Sequence, residues 1–138
     1  ITHFQDKSVN IVNVMSQLRT KEAFDDENNV KVVINNNNDA LYFSREPIPS
    51  PWKGWRELPK YMQTGIIAFR RNTLIEFNAM NETQLEQIES VDMNRVLETG
   101  GKIRMVLTEG ITIGVDVPEE LLEVENILIG DEIVKGYL

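Results

Sequence analysis

A mixed-sheet α/β domain is the fold class this sequence predicts, on three observations. Strand-like and helix-like segments alternate through the second half, which favours partly parallel strands. "VKVVI" and "ALYFS" flank an asparagine-rich turn, which adds an antiparallel hairpin. The 138 residues, 41% of them hydrophobic, suit one domain with a sizeable core.

Each element follows from local pattern. Val9 to Leu18 places Val9, Ile11, Val12, Val14 and Met15 around Asn10 and Asn13, a mostly buried strand. "TKEAFDDENN" has no apolar stripe and predicts a short helical turn ending in a loop at Asn28 and Asn29. Val30 to Ile34 and Ala40 to Ser44 are the hairpin strands, joined by Asn35 to Asp39. Arg45 to Trp55 holds three of the five prolines and reads as an extended loop. Tyr61 to Arg70 is a buried strand whose Gly65 suits a bulge or a close approach.

Asn72 to Ala79 reads as a short helix. A longer one starts at Asn81, with Gln84 as its capping-box partner. Leu85, Ile88, Val91, Val96 and Leu97 mark its buried face, and Gly100 with Gly101 ends it. Lys102 to Thr108 and Ile111 to Val115 read as strands. Pro118 opens a last helix, Glu119 to about Leu128. The tail from Gly130 has no clear assignment. Residues 1–138 read as a single partial domain. The chain starts without methionine and with a strand close behind, so a fragment is expected.

Composition excludes several chemistries. The formal net charge of -8 argues against a protein that hugs a nucleic-acid backbone. There is no cysteine, so neither a disulfide scaffold nor a thiolate zinc site is possible. His3 is the single histidine, which excludes a multi-histidine metal site or a serine–histidine triad built from this chain alone. No apolar run is long enough to span a bilayer and no secretory signal opens the chain. A cytoplasmic protein without membrane or nucleic-acid partners is the expectation.

Four groups of residues are chemical candidates. Asp116 lies between an apolar strand and the proline-started helix. Pro118 suits the first helical position, which makes Val117 the cap and leaves Asp116 without that duty. It is then a solvated turn acid or a metal ligand at a strand's carboxyl end. Glu82, Glu86 and Glu89 share one helix face with no basic residue four positions after any of them. They are a solvated face, or they await a partner: a basic surface, a hydroxyl-rich ligand or a cation. Arg45 ends a strand before a rigid loop, where a guanidinium suits a carboxylate or phosphate, or a surface ion pair. Arg70 and Arg71 end another strand and play a similar part or cap the sheet. Trp52 and Trp55 stack on a ligand or bury themselves at an interface.

"ALYFSREPIP", "TGIIAFR", "LEQIESVDMNR" and "GVDVPEELLEVENIL", in that order, resemble the C-terminal half of the 3-deoxy-manno-octulosonate cytidylyltransferase (CMP-KDO synthetase) family. The likeness runs from about Val30 to Leu128 and more weakly back to Val9. It implies a nucleotidyltransferase-like sandwich, partial here, with an antiparallel extension that forms a homodimer. It implies transfer of CMP from CTP to the sugar acid KDO for lipopolysaccharide synthesis, with pyrophosphate released and Mg2+ as cofactor. Carried over by position, Arg45 meets the sugar carboxylate, Glu86 and Gln87 meet sugar hydroxyls, and Asp116 is the catalytic aspartate that holds the metal.

Three residues depart from the family. Gln63 stands for a histidine and Ile67 for a tyrosine, both in the sugar site, and Val117 stands for a threonine. The family's nucleotide loop and its acidic "QGDEP"-like motif have no counterpart in the sequence, so no turnover is expected from these residues alone. A cytidylyltransferase for another sugar acid (8-amino-KDO or a nonulosonic acid) and a non-catalytic dimerisation fragment are the alternatives.

Overall fold

The computed structural model describes residues 2–109, 115 and 118–136. In chain order these form β1 (Ile11–Gln17), α1 (Lys21–Asp25), β2 (Lys31–Ile34), β3 (Ala40–Ser44), β4 (Tyr61–Phe69), α2 (Arg71–Ala79), α3 (Gln84–Glu89), α4 (Met93–Glu98), β5 (Arg104–Leu107) and α5 (Pro118–Leu128). Most of the strand expected at Ile111–Val115 lies outside the described residues, as do Asp116 and Val117.

The sheet order is β3-β2-β4-β1-β5, and it is mixed as the alternation predicts. β1 and β5 run parallel, while the β1–β4, β2–β3 and β2–β4 pairs are antiparallel. The hairpin turn is asparagine chemistry. Asn35 Oδ1 accepts from the Asn37 and Asp39 amides at 2.8 and 2.9 Å, and Asn38 takes a left-handed φ of 61°. The two sheet edges then meet. Ala40 N donates to Ile103 O at 2.9 Å, and Arg104 Nε donates to Asp39 Oδ1 at 2.6 Å. A sheet curled this far wraps its own core. Ile11, Met15, Val32, Phe43, Val91, Met93, Val96, Ile103 and Met105 fill that core.

Two expectations change. The helix expected from Asn81 is two short helices, broken at Ser90, whose φ is 54°. The cap is Thr83 with Glu86 as the box partner, not Asn81 with Gln84. The break turns the buried face. Val91 and Val96 reach the core as expected, but Ile88 is 67% exposed, and Met93 and Asn94 are fully buried instead. β4 is open on one face rather than buried, with Ile66 62% exposed. Its Gly65 does mark a bulge. Asn13 pairs with Ile67 and Met15 with Gln63, so Thr64, Gly65 and Ile66 stand opposite Val14 alone.

Candidate functional site

β3 ends at Ser44 and delivers Arg45 beside the C-terminus of α3. There the carboxylate of Glu89 is a hub. It accepts from Tyr42 Oη at 2.9 Å, from Ser44 Oγ at 3.0 Å and from the Arg45 amide at 3.0 Å. Burial, and then the bond to Glu89, raises the Tyr42 phenol above its usual range, which keeps it protonated and donating. All three donors are neutral.

The guanidinium of Arg45 goes elsewhere. Nε donates to Glu89 O at 3.1 Å, one terminal nitrogen to Glu27 O at 3.1 Å and the other to Ser90 O at 3.4 Å. Three backbone carbonyls fix its plane, yet among the described residues no carboxylate pairs with it. A half-buried cation held by neutral acceptors keeps its charge available to an incoming anion. Of the two sequence expectations for Arg45, the surface ion pair is absent among the described residues.

Glu86 is different. Arg95 Nε donates to its Oε2 at 2.7 Å and an Arg95 terminal nitrogen to its Oε1 at 2.5 Å, a bidentate pair. The Thr83 amide also donates to Oε2, at 3.2 Å. Arg95 first, and then that amide, hold the Glu86 carboxyl below the usual carboxylate range. Arg95 also lies over the Phe77 ring, 4.6 Å from its centroid. The carboxylate expected to meet sugar hydroxyls is thus committed inside the chain. Its neighbour Gln87 is exposed, and Nε2 donates to Glu82 at 3.3 Å.

Gln63 sits on β4, two strands further in. Its amide donates to Val30 O at 2.9 Å, which puts it in the cross-strand row that Arg45 enters beyond the paired ends of β2 and β3. Two strand spacings set it about 10 Å from the Arg45 backbone. Its side-chain Oε1 is buried and has no hydrogen-bond partner among the described residues. Arg70, by contrast, caps the sheet. It donates to Val9 O and Phe4 O at 2.8 Å and to Asp6 O at 3.0 Å. Trp55 folds inward onto Phe24, with Lys60 Nζ 4.0 Å from its ring, whereas Trp52 is 88% exposed.

The structure brings Arg45 and Gln63 into one row and sets Glu86 against Arg95, a basic partner rather than a bare solvated face. Asp116 lies outside the described residues. No cluster of three metal-ligating side chains occurs among the described residues. Magnesium held against a triphosphate asks less, one or two carboxylates and the phosphate oxygens, and a hard oxygen donor such as the Asp116 carboxylate fits that set. Sequence reasoning missed Glu89 as an anchor and Arg95 as a partner. No local pattern marks either one, because the break at Ser90 that turns Arg95 back onto Glu86 falls inside an apparently continuous helical period.

The described helices include none long and apolar enough to cross a membrane. The mixed sheet with its helical cover is a nucleotidyltransferase-like α/β fold. It superposes on the structure of CMP:2-keto-3-deoxy-manno-octonic acid synthetase complexed with CTP with a TM-score of 0.81 and 31% identity, over 93% of this chain and 52% of that one. The family described as Cytidylyltransferase matches residues 1–104, and the chain belongs to it. It is 39% identical to 3-deoxy-manno-octulosonate cytidylyltransferase of Fusobacterium nucleatum over 91% of this chain and 51% of the relative. It is 42% identical to the Chlamydia felis protein of the same name over 72% of this chain and 38% of that protein. The chain spans about half the length of such relatives.

Proposed function

We propose that this chain is the sugar-acid-binding half of a cytidylyltransferase that moves CMP from CTP to 3-deoxy-manno-octulosonate and releases pyrophosphate. The observation that carries the reading is Arg45, a guanidinium oriented by three carbonyls and left without an anion among the described residues. The carboxylate of a sugar acid is the matching group, planar and able to accept two parallel bonds. Relatives 35–42% identical bear the name of that activity, which favours this acid over others.

Within this reading Arg45 takes the carboxylate, and Gln63 and Gln87 face sugar hydroxyls. Glu86 works indirectly, by tying the α3–α4 corner to Arg95. Asp116 would hold magnesium, which neutralises triphosphate charge when bound. A homodimer, a cytoplasmic location and a place in lipopolysaccharide synthesis belong to the same reading and rest on the family likeness.

The test uses full-length protein with CTP, magnesium and a panel of sugar acids, with pyrophosphate followed in time. Release with 3-deoxy-manno-octulosonate above all others is expected. No release with any sugar acid overturns the proposal. Asp116→Asn is expected to lower the rate about a hundredfold or more with the fold kept. An unchanged rate removes the metal role.

A further inference from the structure

Two asparagines are completely buried, and they differ. Asn94 closes both ends of its amide on one residue. Its Nδ2 donates to Phe43 O at 3.0 Å and its Oδ1 accepts from Phe43 N at 3.3 Å. Asn13 closes neither, since among the described residues Nδ2 and Oδ1 both lack a partner. Nearly all buried amides are satisfied, because leaving one unpaired costs about 1–3 kcal/mol. An apolar residue of the same shape would remove that cost.

The surroundings of Asn13 are informative. Along β1, Ile11, Asn13 and Met15 share the face that meets the core. Met15 pairs with Gln63 and Asn13 with Ile67, so the Asn13 and Gln63 side chains are diagonal neighbours on that face. Gln63 Oε1 is the third unpartnered polar atom of the patch. The bulge at Thr64, Gly65 and Ile66 falls at this register step, with Thr64 Oγ1 donating to Val14 O at 3.0 Å. Gln63 and Ile67 are only half-buried, so the patch borders solvent on the β4 side.

The chemistry of the missing partner follows. It must accept from an amide N–H and donate to an amide oxygen. A carboxylate only accepts and an ammonium only donates, whereas a hydroxyl does both. We infer that Asn13 reads a hydroxyl of a polyhydroxylated substrate, acting with Gln63 as the floor of the sugar subsite. This inference rests on the sugar-acid reading above and adds a specificity-determining residue to it.

Two measurements test it. In the first, Asn13→Leu is made in full-length protein, and steady-state kinetics and thermal unfolding are followed. The expected result is a rise in Tm, with kcat/KM for the sugar acid down roughly tenfold or more and KM for CTP unchanged. A lower Tm with unchanged kcat/KM assigns the amide to an internal water and overturns the inference. The second measurement needs no variant fold. The Asn13 side-chain amide resonances are followed during titration with 3-deoxy-manno-octulosonate. Displacement is expected. Fixed Asn13 resonances while those of Arg45 move overturn this inference alone. No movement anywhere with any sugar acid overturns the sugar-acid reading together with it.

Discussion

Two glutamates one turn apart on α3 meet two arginines, with opposite outcomes. Glu86 and Arg95 face each other through two parallel bonds, and their charges cancel. Glu89 and Arg45 also touch, at 3.0 and 3.1 Å, but the carboxylate takes neutral donors and the guanidinium takes carbonyls. The same residue types thus form a closed pair at the α3–α4 corner and an open cation at the β3 end. A closed pair is structural. Under the proposed function, a cation anchored without an anion among the described residues is the group that takes the substrate carboxylate. Residue type alone does not separate a binding arginine from a structural one; the partners do.

Breaking the closed pair has the largest expected effect. Arg95→Met strands a nearly buried carboxylate and should lower unfolding free energy by about 3 kcal/mol, read by denaturant melts. Sugar selectivity should survive wherever the protein is folded. At the open end, Arg45→Met should cost about a hundredfold in kcat/KM for the sugar acid. Its stability should change by only about 1 kcal/mol, since the released carbonyls lie near solvent. Arg45→Lys keeps the charge and loses the fork, so it should fall between.

Smaller effects sharpen the contrast. Glu89→Gln leaves the shape and removes the charged acceptor from three donors, so KM for the sugar acid should rise several-fold as Arg45 loosens. The two carboxylates should also differ in acid. Glu86 has a depressed folded-state pKa, so its contribution is present above the unfolded value of about 4.3 and is lost as pH falls through the lower folded value. Arg95→Met should flatten that acid limb of the stability curve, whereas Arg45→Met should leave it in place.

Much of this was legible in the sequence. The hairpin, the bulge glycine, the proline loop and the glycine stop after α4 each rest on one local rule, and each is where its residues put it. The α3–α4 corner was not. A periodic pattern from Leu85 to Leu97 looks continuous, and the left-handed Ser90 that breaks it is set by tertiary bonds, Arg45 to Glu89 O and Ser90 O among them. The same break hides the Glu86–Arg95 pair, because nine residues is no helical spacing. Arg45 was legible as a strand-end guanidinium, but its carbonyl tether was not. Nor was the unpaired state of Asn13, since an asparagine in an apolar strand looks the same whether or not its amide is satisfied.

The central claim is that Arg45 holds an unneutralised charge for the substrate carboxylate. The direct measurement compares binding of 3-deoxy-manno-octulosonate and its methyl ester by unmodified protein and by Arg45→Met. The account predicts that unmodified protein prefers the acid by tenfold or more and that Arg45→Met binds acid and ester alike. A variant that keeps the full preference for the acid would contradict it.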